Sequence, residues 1–211
     1  MFSIILAAGW PIAPLILCSL LAVAIVIERF LSLKENRIAP PKLLEEALRV
    51  SRTAVPGREV VEKLAHNSAM GEVLASGLRY LSNNPSCSEE DLRATMEGSG
   101  REVAHRMERY LSALATIASA APLLGLLGTV IGMIEIFGSQ TPSSGAGGSN
   151  PAQLAHGISV ALYNTAFGLM VAIPSLIFWR YFRAMVDAYL MALELAGDQF
   201  ARHLKTLRVT A

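Results

Sequence analysis

Between Tyr110 and Trp179 the chain contains no lysine or arginine, and its one acid is Glu135. Charged residues make up about a quarter of an ordinary soluble domain, so a run of this length without basic residues points to lipid. Residues 1–27 also lack Lys, Arg, Asp and Glu, which confines all 18 basic residues to 29–109 and 180–208. The net charge of +1 conceals this sorting. With 53% hydrophobic and only 17% charged residues, the chain reads as a membrane protein with charged compartments between and after its spans.

Several function classes drop out at this level. Cys18 lies in the first apolar segment and Cys87 in the charged region, so they form neither a disulfide framework nor a metal-ligand spacing. No Ser/His/Asp order, HExxH or P-loop supports catalysis, and no enzyme, cofactor, metal or nucleic-acid partner is expected. The N-terminus lacks a basic n-region, and its apolar run ends at Glu28–Arg29 without a cleavage pattern, so it is expected to stay as a helix.

Residues 1–31 are expected to form a surface-lying segment followed by a first span, 12–31, with Trp10 at the interface. Pro11 and Pro14 stand at its start, where a missing N–H costs least. Arg29, Lys34 and Arg37 follow directly, which by the positive-inside tendency puts that end in the cytoplasm and the N-terminus in the periplasm. Residues 32–109 form a cytoplasmic helical region. Its short amphipathic turns carry Leu43, Leu44, Ala47 and Leu48, then Val60, Val61 and Leu64, then Val73, Leu74, Gly77, Leu78 and Leu81. Ser88 to Asp91 resembles a capping box opening a helix. Leu92, Met96, Val103, Met107, Tyr110, Leu111 and Leu114 keep one face of that helix apolar. Running on to Phe137, it would be about 73 Å long at 1.5 Å per residue, with Gly98 and Gly100 as weak points.

Residues 110–138 are the second span. Residues 139–151 are an uncharged Gly/Ser-rich loop expected in the periplasm, and 152–183 are a third span anchored by Trp179, Arg180 and Arg183. Residues 184–211 are a cytoplasmic C-terminal helix. Its heptad-like seam of Val186, Leu190, Leu193, Gly197, Phe200, Leu204 and Leu207 requires an apolar partner, most simply the Leu92–Leu114 face. The expected fold class is therefore an all-α membrane protein. Three transmembrane helices cross the bilayer, and the long second and third extend into a cytoplasmic bundle.

Chemistry is concentrated in the second and third spans. Gly125, Gly128 and Gly132 form one smooth helix face open to close backbone approach, with Thr129 among them. Thr129 lies about 12 Å below Phe137, and Thr165 about 20 Å into the third span, at 1.5 Å per residue. Both hydroxyls are thus near mid-membrane. The third span adds a small face of Ala161, Thr165, Gly168, Ala172 and Ser175. These features fit a polar path, and they equally fit close packing with threonines bonded one turn back. Glu135 and His156 are the ionisable residues within the spans, placed at the outer mouth, where interfacial and functional roles are both open. Pro122 and Pro174 each remove a helix hydrogen bond in the inner half of a span, opening the way to a kink.

The run Ala121-Pro122-Leu123-Leu124-Gly125-Leu126-Leu127-Gly128-Thr129-Val130 resembles the second-span signature of the MotA/TolQ/ExbB proton channel family. Gly157-Ile158, Ala161-Leu162, Thr165-Ala166, Gly168-Leu169 and Ala172-Ile173-Pro174 resemble its third-span signature. The resemblance covers nearly the whole chain and favours the ExbB/TolQ branch. It implies an inner-membrane stator in which five copies surround a dimer of a single-span ExbD/TolR-like partner. Thr129 and Thr165 would line the proton pathway. The partner's membrane aspartate would carry the proton, and a TonB/TolA-like client would receive the work. In that arrangement the glycine face is where ring neighbours or inner helices approach. One departure stands out: many ExbB and TolQ proteins carry a glutamate in the third-span motif where this chain has Val160. The alternative reading is a non-conducting membrane scaffold that anchors a partner helix.

Overall fold

The structure, a computed structural model, describes residues 10–52, 56–138 and 151–209; of these, the side chains of 151–154, 156 and 207–209 are not described. The expected surface segment 1–9 and most of the uncharged loop, 139–150, lie outside the described residues, as do the side chains of His156 and Leu207. Among the described residues all regular structure is helical. The helices are α1 (Ile12–Ser32), α2 (Glu35–Ile38), α3 (Leu43–Val50), α4 (Arg58–Asn67), α5 (Ala69–Asn83), α6 (Glu89–Glu108), α7 (Leu111–Gly138) and α8 (Pro151–Val209). Three helical stretches among the described residues are long and apolar enough to cross a membrane: Ile12–Ser32, Glu89–Gly138 and Gly157–Thr206. The chain divides into two compact units, residues 1–28 with 110–181 and residues 29–109 with 182–211.

In the first unit, Leu15 of α1, Ala121 of α7 and Ala172 of α8 form the buried centre, with Leu124, Phe167 and Val171 packed around them. Small residues at the contact permit this, because without a water-driven hydrophobic force membrane helices associate by close van der Waals fit. Outward-facing residues remain large and apolar: Leu17, Leu20, Leu123, Ile134, Leu162, Met170 and Ile177 are all exposed. That inversion of the soluble pattern suits a lipid solvent.

In the second unit, α5 is the central helix, burying Met70, Val73, Leu74, Ala75, Gly77, Leu78 and Leu81. Gly77 lets α6 come close, since a Cβ there would stand 2.8 Å from Met96 Sδ. Helix α6 begins with the expected capping box: the Asp91 amide donates to Ser88 Oγ at 3.0 Å, and the Ser88 amide donates to Asp91 Oδ2 at 2.9 Å. Phe182, Val186, Leu193, Phe200 and Leu204 of α8 are buried, as are Leu92, Met96, Val103 and Met107 of α6. Ion pairs set α6 and α8 antiparallel: Glu108–Arg183 at 2.9 Å, Arg93–Asp198 at 3.0 Å and Glu89–Lys205 at 2.8 Å. Exposed pairs of this kind contribute little stability each; here they fix register.

Gly98 and Gly100, expected to weaken the long second helix, are both helical within α6. The interruption falls at Arg109–Tyr110, although Arg109 keeps right-handed helical dihedrals at φ −46° and ψ −42°. A buried cation sits on the turn before it. Arg29, only 3% exposed, donates from its guanidinium to the Met107 carbonyl at 2.7 Å. That places a cation on the last carbonyls of α6, where the helix dipole favours it.

Candidate functional site

The site candidates lie along the α7–α8 contact of the first unit. A Cβ on Gly125 would stand 2.7 Å from the Asn164 carbonyl oxygen and 3.0 Å from Thr165 Cα. A Cβ on Gly168 would stand 2.6 Å from the Ala121 oxygen, and one on Gly128 2.9 Å from the Asn164 side chain. Farther along, Gly132 faces Ala161, and a Cβ on Gly157 would require the end of the Ile136 side chain to shift. The two helices therefore pack antiparallel and backbone to backbone over several turns. In this chain the face of Gly125 and Gly128 is filled by its own third span. That differs from the expectation that the glycines receive a neighbouring subunit or an inner helix.

The two threonines do not bond each other, and Thr165 packs against Gly125, one turn along α7 from Thr129. Thr165 Oγ1 donates across the contact to the Gly125 carbonyl at 3.4 Å, a long and weak hydrogen bond. Thr129 Oγ1 donates back along its own helix to the Leu126 carbonyl at 2.6 Å. Thr129 is half-buried at the edge of the glycine face and borders a surface groove with Val130, Met133, Ile134 and Phe137. Ser175 is buried and donates to the Val171 carbonyl at 2.7 Å. Every one of these hydroxyls thus satisfies its donor on a carbonyl, as a low-dielectric interior requires.

Glu135 is exposed near the end of α7. His156 falls in the second turn of α8. Pro122 is half-buried and Pro174 exposed; α7 and α8 continue helical through them. Pro174 also borders a groove of about 370 Å³ between α1 and α8, with Leu15, Ser19, Phe167 and Phe178.

Asn164 was not singled out by the sequence reading. It is 2% exposed, and its side chain occupies the space above Gly128. Carrying a buried amide beside Thr165, it adds a polar group to the same layer. The signal that marks it is simple: an amide inside an apolar span is expensive unless it packs or bonds between helices. Among the described residues no cluster of His, Cys, Asp and Glu is suited to hold a metal.

Residues 65–195 match the model of the MotA/TolQ/ExbB proton channel family. An ExbB-like biopolymer transport protein of Synechocystis, ExbB-like 3, is 31% identical over 196 residues, which is 92% of this chain and 89% of that protein. The biopolymer transport protein exbB1 of Vibrio cholerae is 32% identical over 163 residues, covering 77% and 70% of the two chains. The Tol-Pal system protein TolQ of Haemophilus influenzae is 35% identical over 109 residues, covering 50% and 46%.

Proposed function

The chain belongs to the MotA/TolQ/ExbB proton channel family, and we propose that it is the channel-forming stator subunit of an ExbB/TolQ-like complex in the bacterial inner membrane. In this reading 110–138 and 152–183 span the bilayer, 139–151 lies in the periplasm, and both 32–109 and 184–211 are cytoplasmic. The distribution of Lys and Arg supports that orientation. A ring of copies encloses a single-span ExbD/TolR-like dimer, and proton flow through the assembly drives work on a TonB/TolA-like client.

One observation carries the proposal. Along the α7–α8 contact Thr165 packs against Gly125 and the Asn164 side chain against Gly128, the residue before Thr129, and Glu135 is the only acid between Tyr110 and Trp179. Hydroxyl and amide groups relay or orient a proton but cannot hold its charge at membrane depth. Val160 occupies the place where many relatives carry a glutamate, so this chain supplies no mid-span acid. The titrating group therefore belongs to the partner. Each proton crossing releases about 2.3 kcal/mol per 100 mV, so mechanical work needs repeated passages.

The back-bonded Thr129 hydroxyl favours a second reading, a non-conducting scaffold that anchors the partner helix. The two are separated by reconstituting the chain with and without its single-span partner in liposomes under an imposed potential. The stator reading expects proton uptake only when both are present. Stable assembly without uptake is the outcome the scaffold expects.

A further inference from the structure

Among the described residues of the first unit, two polar side chains are buried, those of Asn164 and Ser175. Ser175 donates to the Val171 carbonyl one turn back in its own helix. Asn164 belongs to the contact between helices instead. Its backbone oxygen stands 2.7 Å from where a Gly125 Cβ would be, and its Cβ, Cγ and Nδ2 each stand 2.9 Å from where a Gly128 Cβ would be. One residue of α8 thus rests on both glycines that bound a turn of α7, and Thr129 follows that turn directly.

The rest of the contact does little to set how far one helix is slid along the other. Helix α7 offers Gly125, Gly128 and Gly132, and α8 offers Ala161, Gly168 and Ala172. Close fit between small residues recurs at each turn of such faces. A slide of one turn, about 5.4 Å, would carry Asn164 from Gly128 to Gly132 and Gly168 from Gly125 to Gly128. Small residues would meet small residues again. The polar groups do not repeat in this way. The same slide would break the hydrogen bond from Thr165 to the Gly125 carbonyl at 3.4 Å. It would also move the amide to a looser part of the contact, since a Cβ on Gly132 would meet only Ala161, at 3.4 Å and beyond. Burying an amide is costly wherever its surroundings fail to serve it, and a single buried asparagine is known to fix the register of paired helices.

We propose that Asn164 sets the register of α7 against α8. It is a positioning residue: it keeps Thr165 on Gly125 and holds the turn before Thr129 at one depth, and it needs no proton of its own. Only the consequence for proton uptake rests on the stator reading above, which this role deepens.

The register is read by disulfide trapping in full-length chains assembled with the partner, with Cys18→Ser and Cys87→Ala removing the native thiols. A Cβ on Gly132 would stand 3.4 Å from Ala161 Cβ, close to the roughly 3.5–4.5 Å that a disulfide spans. Gly132→Cys with Ala161→Cys should therefore link readily. Ile136→Cys with Ala161→Cys reports the slipped register and should link poorly. Adding Asn164→Ala should shift the ratio of the two links about tenfold toward the second pair and lower partner-dependent uptake into liposomes about tenfold. Gly128→Ala, which forces the Asn164 side chain from its seat, is the second variant and should shift the ratio the same way. Oxidising the Gly132–Ala161 pair in the Asn164→Ala chain should restore uptake, because a covalent bond then holds the register. An unchanged ratio in both variants would overturn the proposal. A shifted ratio with uptake that the disulfide does not restore would overturn the positioning role in favour of a direct part for the amide. Absence of partner-dependent uptake in the unaltered chain would remove the stator reading, and the link ratio would still decide the register.

Discussion

Gly125 and Thr165 meet with no side chain between their backbones: a Cβ built on Gly125 would stand 3.0 Å from Thr165 Cα, and the Thr165 hydroxyl donates to the Gly125 carbonyl at 3.4 Å. That closeness ties the two signature spans into one body. It also holds the Thr165 hydroxyl at the glycine layer rather than toward lipid.

Substitution should expose the difference between this glycine and an idle one. Gly125→Ala forces its methyl against the Asn164 carbonyl at 2.7 Å, and overpacking of this kind costs about 1–3 kcal/mol. Gly98→Ala meets nothing within 4 Å inside α6 and should gain up to about 1 kcal/mol from helix propensity. Thermal unfolding of the two variants in detergent should therefore shift in opposite directions. A shift in the same direction would contradict the packing described.

Arg29 is a buried cation that donates to the Met107 carbonyl. Removing a hydrogen bond made by a charged group costs about 1.5–3 kcal/mol, so Arg29→Ala should destabilise by that amount in denaturant unfolding. Arg29→Lys should recover only part, because an ammonium on a flexible stem does not reproduce the guanidinium fork. Full recovery by lysine would show that charge alone matters at this position.

The start of α6 gives a pH signature. The Lys205 ammonium, through its hydrogen bond and charge, holds the Glu89 carboxyl below the usual range; the Ser88 amide and hydroxyl do the same for Asp91. Depressed carboxylate pKa values stabilise the fold above the unfolded values, near pH 4, and that contribution is lost as pH falls through the lower folded values. Ser88→Ala should cost about 1 kcal/mol at neutral pH through the lost cap. Its deficit against the unaltered chain should shrink below about pH 4 as Asp91 is protonated. A deficit unchanged from pH 7 to pH 3 would contradict the assignment.

Much of this was legible before any coordinates, for particular reasons. Charge sorting marks the three apolar stretches because lipid tolerates few exceptions, and Ser88 with Asp91 announces a helix start through local hydrogen bonding alone. The cation at the end of α6 was not legible, because Arg29 stands 78 positions away from Met107. Likewise the glycine spacing of α7 revealed a face for close approach but not which helix fills it. Asn164 escaped notice because a single amide has no periodicity; its importance appears only when Gly128 is seen beneath it.

The claim that the threonine layer lines a proton path is tested most directly by proton uptake into liposomes holding the assembled complex. Thr129→Val and Thr165→Val keep side-chain shape and remove the hydroxyls, so the complex should still assemble. The account predicts that each substitution lowers partner-dependent uptake at least tenfold, about 1.4 kcal/mol in barrier. Uptake at the unaltered rate in both variants, with the complex intact, would contradict it.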